Sequence, residues 1–185
     1  MLMLIGLDKA KAALGISQED TSQNDRMTAL IGAASELIEA HLRRKLQYRE
    51  YIETLHQCGA CLNVKAYPVD EITRIEASGI ELSGWTCQKE SGLLFREGGW
   101  PLLSTGIQVT YTGGYQEYPH PLQQACLLLV MQLQKAAAQE GSLAASERIG
   151  DYSISYVTGA VTATGLASFS PAAAALVHPY MGRYL

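Results

Sequence analysis

The sequence predicts an α+β fold: two long packed helices plus a short N-terminal helix, an inserted small antiparallel β-sheet, and a C-terminal strand and helix arm. Three observations predict it. Residues 27–42 carry apolar side chains at steps of three and four, which is the pattern of one buried helix face. Residues 122–137 repeat that spacing. Between the two stretches, residues 107–111 alternate with the period of two that is typical of a strand.

Two helices are predicted before the strands. A short helix spans 7–14, where a glycine ends it, and a long helix spans about 23–46. Ser17 and Asp20 have the spacing of a capping box for the long helix, although either of the next two residues could cap it equally well.

The strand segments are short, bounded by turn residues and rich in β-branched and aromatic side chains. They span 48–55, 61–66, 71–77, 85–88, 93–96 and 107–112. Gly98-Gly99 and Gly113-Gly114 mark turns or bulges. These features predict one compact antiparallel sheet region set between helices.

The second long helix is predicted to begin at His120-Pro121, because proline is favoured in a first helical turn, and to run to about Gln139. It is apolar on nearly every side and therefore needs cover on nearly every side, which one small domain struggles to supply. The predicted core between the two long helices consists of Leu30, Ala34, Leu37, Ile38, Ala125, Leu129 and Leu133.

The C-terminal part combines a strand with a short helix. Residues 151–157 alternate with period two, and Ser170-Pro171 predicts the start of a helix that Pro179 ends or kinks. We interpret the chain as a single domain in four parts: N-terminal helices over 1–47, an inserted β region over 48–118, the second long helix over 119–141, and a C-terminal strand, loop and arm over 142–185.

Charge is unevenly distributed. Charged residues make up 17% of the chain, against about 25% in an average soluble domain. Residues 152–182 hold none of them. The net charge of −4 argues against a broadly basic nucleic-acid-binding surface. Leu122–Leu133 is too short to span a membrane. No signal peptide is recognised, so we expect reduced cysteines, a cytoplasmic site of synthesis and no membrane association.

Tyrosine is the dominant aromatic residue, with ten copies against two phenylalanines and two tryptophans, and it clusters in the charge-poor half. Charge depletion with aromatic enrichment is typical of an interface core, although strands also favour tyrosine. Residues 152–185 are therefore predicted to bury against a partner, and removal of 171–185 should leave a folded protein. The interface candidates are Tyr152, Ile154, Tyr156, Leu176, Tyr180, Met181, Arg183, Tyr184 and Leu185.

Cys58-Gly-Ala-Cys61 is the only motif with reactive potential. A redox pair normally opens a helix, which lowers the pKa of its first thiol, whereas this pair lies between two strand-like segments and favours a hairpin turn. A metal site could be assembled from His56, Cys58, Cys61 and Cys87, but a second paired motif is missing. We assign no metal and no cofactor, and keep these four residues as weak metal candidates.

Arg43-Arg44-Lys45 could contact phosphates, but such a run more often closes a helix and complements its dipole. No Ser-His-Asp or paired-carboxylate arrangement can be argued, and the second half of the chain offers few carboxylates. The sequence therefore predicts no catalytic residues and no enzyme.

Several stretches occur in a familiar order along nearly the whole chain, and none of them is diagnostic alone. They are Leu7–Ile16, Leu30–Glu39 leading to Arg44–Leu46, Tyr67–Ile75, Val109–Tyr115, Pro121 with the helix that follows, Ile149–Tyr156 and Leu176–Arg183. This collinear set resembles the tailed-bacteriophage head–tail connector family, the portal adaptor proteins. Cys58 and Cys61 depart from the resemblance, because a Gly-rich hairpin tip is expected there.

The resemblance implies a structural virion protein without enzymatic activity. Such subunits form a homo-oligomeric ring, usually of twelve copies in the virion, below the portal protein and above a stopper or tail-completion protein. DNA passes through the ring without sequence-specific binding. The implied location is the neck, at the head–tail junction, after assembly in the host bacterial cytoplasm.

Two alternatives stay open. One is a different phage neck or tail-completion ring protein. The other is a small metal or thiol-redox protein that uses Cys58 and Cys61.

Overall fold

The computed structural model of the chain describes residues 2–56, 59–101, 104–139, 146–149, 152–155 and 170–182. Two compact units make up the chain. The helical unit comprises residues 1–41 and 120–179, and the sheet unit comprises residues 42–119 and 180–185. Helices combined with small antiparallel sheets confirm the predicted α+β class.

The described elements follow one another in a simple order. They are α1 (Leu7–Leu14), α2 (Asn24–Leu42), β1 (Arg49–Leu55), β2 (Gly59–Asn63), β3 (Val69–Ala77), β4 (Ile80–Glu81), β5 (Trp85–Gln88), β6 (Leu93–Trp100), β7 (Ile107–Gly113), α3 (His120–Gln139), β8 (Ser146–Ile149), β9 (Tyr152–Ser155), α4 (Pro171–Val177) and a 3-10 turn (His178–Tyr180).

In the helical unit, α1 is closed by Gly15, whose left-handed φ of 68° is a conformation that glycine adopts without a Cβ clash. The Lys11 side chain of α1 binds the segment that follows, at Gln18 and Asp20. This side chain is only 2% exposed, and its ammonium donates to Gln18 O at 3.2 Å and to Asp20 O at 2.7 Å. Two backbone carbonyls thereby satisfy a buried cation.

The capping box expected at Ser17 and Asp20 is not formed as predicted. The Asp20 carboxylate instead accepts from the backbone N–H of Ser22 at 2.9 Å and from its hydroxyl, which closes a local turn and lowers the pKa of Asp20. The long helix begins later, at Asn24. The reason is that aspartate binds a backbone N–H two residues on as readily as one at a helix start.

Small side chains bring α2 close to α3. Ser35 Oγ lies 3.6 Å from Cys126 Sγ, donates to Ile31 O at 2.7 Å and accepts from the Leu4 N–H at 3.1 Å. Burial raises the pKa of the Cys126 thiol to about 11. A buried thiol of this kind packs as a small apolar side chain and is not poised to react.

The predicted inter-helix core divides into three groups. Ala34, Ile38, Ala125 and Leu129 are fully buried, and Leu30 and Leu133 are half-buried. Leu37, in contrast, is 44% exposed. At roughly 100° per residue it lies about a quarter-turn or more from the centre of the buried stripe that Ile31 and Ile38 mark. Its spacing therefore matched the helical period without placing it on the buried face.

The sheet unit holds two sheets where the sequence predicted one. A four-stranded antiparallel sheet has the order β1-β7-β3-β4, and a three-stranded antiparallel sheet has the order β2-β6-β5. One apolar cluster draws on both, with Leu62 and Leu94 from the smaller sheet and Ile75, Val109 and Tyr111 from the larger. Each sheet has one face in this shared core, which explains the alternating burial along β7.

Tyr111 fastens an extended segment onto the larger sheet. Its hydroxyl donates to Glu53 Oε1 at 2.9 Å and accepts from the Ala66 N–H at 2.9 Å. The second oxygen of Glu53 accepts from the Lys65 N–H at 3.2 Å. Burial and the neighbouring Glu53 raise the pKa of Tyr111 far above its usual value, so the phenol stays protonated and remains a donor.

Gly113-Gly114 is required by close packing. Gly114 has φ 104°, and a Cβ there would lie 2.4 Å from Gln47 O. The next residue, Tyr115, donates its N–H to Leu46 O at 2.9 Å. Only glycine allows these two backbone segments to approach so closely.

Candidate interaction site

The candidate site begins where α2 ends. The helix stops at Leu42, short of the predicted residue 46, because Arg43 takes a left-handed φ of 54°. The chain then runs extended, so that Leu42, Arg44 and Leu46 are buried while Arg43 and Lys45 are exposed. An arginine is thereby turned inward between two leucines.

Arg44 is 5% exposed and is held mainly by aromatic rings. Its guanidinium carbon lies 3.4 Å from the centre of the Tyr67 ring and 5.3 Å from that of Tyr115. Nη2 donates to Tyr67 O, whereas Nε is buried without a hydrogen-bond partner among the described residues. The cation is therefore desolvated, and its donors are only partly satisfied.

A cavity of about 210 Å3 opens beside this guanidinium. Its walls are the end of β1 with His56, the extended segment 63–65, Tyr67, and Gly182 from the C-terminal residues. Gly182 is fixed there because its N–H donates to Leu42 O at 2.9 Å, which satisfies a carbonyl at the end of α2.

The cavity has a basic lining. Arg43, Arg44 and Lys65 contribute to its walls together with His56, and no carboxylate is among the described lining residues. Glu53 is the acidic side chain nearest in the hydrogen-bond network, but both of its oxygens already accept bonds from Tyr111 and Lys65. The arrangement suits the binding of an anion rather than acid–base catalysis.

The interface candidates of the C-terminal part have different surroundings. Leu176 is half-buried on α4, whose Ala173 and Val177 are fully buried. Tyr180 is half-buried, and Met181 is 39% exposed. Tyr152 and Ile154 belong to the backbone pairing of β8 with β9. Tyr156, Arg183, Tyr184 and Leu185 lie outside the described residues.

Helix α4 begins as the sequence predicted. Ser170 Oγ accepts from the Ala173 N–H at 3.3 Å, and Pro171 occupies the first turn. The helix packs against α3. Removal of 171–185 would delete two buried side chains, Ala173 and Val177, so the truncation is expected to cost the helical unit some of its packing.

The cysteines do not assemble the metal site considered from the sequence. Cys61 pairs with Phe95 and Cys87 with Leu94, so the two thiols lie on opposite faces of the smaller sheet. Cys58 lies outside the described residues. Within the described ranges, no group of three His, Cys, Asp or Glu side chains could hold a metal ion. Burial raises the pKa of Cys87.

Sequence reasoning missed both the cavity and its key residue, Arg44. Burial alternates from Leu42 to Leu46 in the folded chain, as it does in an extended segment, but the sequence shows only an unbroken basic run between two leucines. An arginine at the buried phase of such a segment has to find aromatic or polar partners. None of the helices in the described part of the chain is long and apolar enough to cross a membrane.

Fold and site together define an α+β protein whose sheet unit holds a cavity lined by basic side chains. The sequence model of the head completion protein family matches residues 3–180, and the chain belongs to this family.

Three solved structures share the fold. The neck of an empty gene transfer agent (GTA) particle, computed with C6 symmetry, matches with TM-score 0.62 and 16% identity over 98% of this chain and 91% of that chain. The neck of the native particle, computed with C12 symmetry, gives 0.56 and 16% over 97% and 89%. The native virion gives 0.60 and 18% over 100% and 94%. No curated protein matches the chain.

Membership of the head completion protein family confirms the resemblance to phage head–tail proteins drawn from the sequence, and the solved structures share the fold.

Proposed function

We propose that the chain is a head–tail connector subunit that forms a ring below the portal, joins the capsid to the tail and leaves a channel for DNA. The observation that carries the proposal is the extent of the likeness. The family match spans residues 3–180, and the neck structures cover 97% or more of the chain. Both units therefore act together as one connector domain over residues 1–185.

The ring is proposed to hold twelve copies. The related necks were computed with C6 and C12 symmetry. In this chain, two long helices keep large apolar side chains in solvent: Leu37 on α2 is 44% exposed and Met131 on α3 is 43% exposed. Neighbouring copies would cover such side chains in a closed ring.

The C-terminal residues are proposed to meet the portal or a neighbouring copy. Residues 152–182 carry no charge, and Met181 presents an apolar side chain to solvent. Because α4 belongs to the core of the helical unit, the contacting part of this arm is expected to begin at Tyr180. A stopper or tail-completion protein would bind the opposite side of the ring.

DNA is proposed to pass through the ring without being held. Each copy has a net charge of −4, so a ring of copies repels the phosphate backbone and lets the duplex slide. The subunit needs no cofactor and performs no catalysis in this role. Assembly would take place in the bacterial cytoplasm before incorporation at the neck of the virion.

The test is a portal pull-down combined with negative-stain imaging of the protein alone and with portal. Met181→Glu should reduce portal capture about tenfold or more, since a charge in an apolar contact is costly. Ile80→Glu is the matched control, because Ile80 is an exposed apolar residue on the β3–β4 hairpin and should leave capture unchanged. Normal capture by Met181→Glu would contradict the arm assignment, and capture of a tail component without portal would favour a tail-completion protein.

A further inference from the structure

We propose that the cavity beside Arg44 receives the carboxylate of an acidic side chain from a neighbouring copy of this chain. The inference rests on the proposed ring, because the ring supplies the second copy. It adds a specific contact, with a named receptor and a ligand of stated chemistry.

The first argument is the unfinished coordination of Arg44. A buried guanidinium has five N–H donors, and here it has one backbone carbonyl, two ring faces and a buried Nε without a partner among the described residues. Aromatic rings offset part of the desolvation of a cation but accept no strong hydrogen bond. A carboxylate in the adjoining cavity would supply charge and acceptors together.

The second argument is the charge around the opening. Lys65 and His56 line the cavity and are exposed, so they can meet an incoming anion before it reaches Arg44. Glu53 does not neutralise them, since its two oxygens are bound to the Tyr111 hydroxyl and to the Lys65 N–H. The described walls thus form a recess with basic side chains and without a carboxylate among them.

The size of the recess selects the ligand. A volume of about 210 Å3 accommodates a carboxylate with a few waters, each of which takes about 30 Å3 of liquid volume. A phosphate of duplex DNA is flanked by sugars and cannot descend to a side chain that is 5% exposed. A chain of net charge −4 also repels DNA, while its 18 Asp and Glu residues make every copy a source of carboxylates.

Zero-length carbodiimide cross-linking tests the contact directly, because it joins an amine to a carboxylate only when the two touch. Rings assembled alone or on portal from equal amounts of 14N- and 15N-labelled protein would be cross-linked and digested. The expected product is a mixed-isotope peptide that joins Lys65 to an Asp or Glu of another copy. Products that form within one copy carry a single isotope, so their mass tells them apart from the mixed-isotope product.

Rings that show only same-chain products at Lys65, or a product with another protein, would overturn the inference and leave the proposed function standing. Absence of rings both alone and on portal would overturn the proposed function and the inference with it. Protection of Lys65 from acetylation by duplex DNA, without protection by assembly, would identify a phosphate ligand and also overturn the inference.

Two variants measure the strength of the contact. Lys65 is exposed, so Lys65→Glu should not disturb folding, and it should raise the protein concentration for half-assembly about fivefold. Arg44→Gln should raise it about thirtyfold or more, because it removes the buried partner of the anion. Lys45→Glu is the matched control: this lysine is also exposed in the sheet unit but does not line the cavity. Equal effects of Lys45→Glu and Lys65→Glu would reduce the contact to general surface charge and refute the receptor.

Discussion

Among the described residues, the helical unit and the sheet unit each bury one cation, and the two cations have different hydrogen-bond partners. Lys11 in the helical unit is 2% exposed, and two backbone carbonyls of its own loop hold its ammonium. Arg44 in the sheet unit is 5% exposed, yet its guanidinium contacts only one carbonyl and two aromatic rings. Its Nε has no hydrogen-bond partner among the described residues. Lys11 therefore has hydrogen-bond partners within its own chain, whereas Arg44 keeps a buried donor without a partner among the described residues.

The two sets of hydrogen-bond partners indicate different roles for the two buried charges. A cation that completes its hydrogen bonds within the chain stabilises that chain, whereas one that leaves a donor unsatisfied has a use for an outside acceptor. The cavity beside Arg44 matches this distinction.

The largest effect on folding is therefore expected at Lys11. Lys11→Met should lower the free energy of unfolding by about 2 kcal/mol, because it removes the donor that ties the 18–20 loop to α1. Arg44→Met should change it by less than about 1 kcal/mol, since methionine relieves the desolvated Nε while keeping the apolar contact with Tyr67. Urea denaturation of both variants measures the contrast. An equal loss of unfolding free energy in the two variants would mean that Arg44 has all its hydrogen-bond partners within its own chain.

A smaller effect is expected from a satisfied polar group close to the candidate site. Tyr111→Phe removes the hydroxyl that joins Glu53 to the Ala66 N–H and should cost about 1–2 kcal/mol. Tyr48→Phe is the control, because the Tyr48 hydroxyl bonds Asp70 at the surface and its loss should have little effect on folding. If both variants unfolded at the wild-type urea concentration, the Tyr111 network would not stabilise the sheet unit.

Sequence patterns predicted the elements well and their partners poorly. The limits of α1, and the start and end of α3, follow from glycine, proline and apolar spacing, which are local signals. Strand patterns revealed most of the strands but not that β2, β5 and β6 leave the larger sheet, because pairing depends on residues far apart in sequence. The short strands β4 and β8 carried too few residues to show a period.

The candidate site was the least predictable part. Arg43-Arg44-Lys45 looked like one basic run at a helix end, yet the left-handed Arg43 sends Arg44 inward and its two neighbours outward. All three side chains are basic, so residue type does not predict which of them is buried. The left-handed backbone at Arg43 decides it. The cavity walls then come from β1, the 63–65 segment and Gly182, which no local pattern brings together.

At neutral pH the smallest effect on folding is expected at Cys126, the buried thiol of the helical unit, because its contribution changes only in alkaline solution. Burial raises the pKa of Cys126 from 9.0 to about 11, so the folded state keeps a proton that the unfolded chain loses first. Its contribution is complete below pH 9 and is lost as pH rises toward 11, by at most about 1.4 kcal/mol per pH unit. Cys126→Ala should remove this part of the slope in urea titrations between pH 8 and 11. Identical slopes for Cys126→Ala and the parent would show that the folded protein tolerates the thiolate beside Ser35, which would contradict the raised pKa of Cys126.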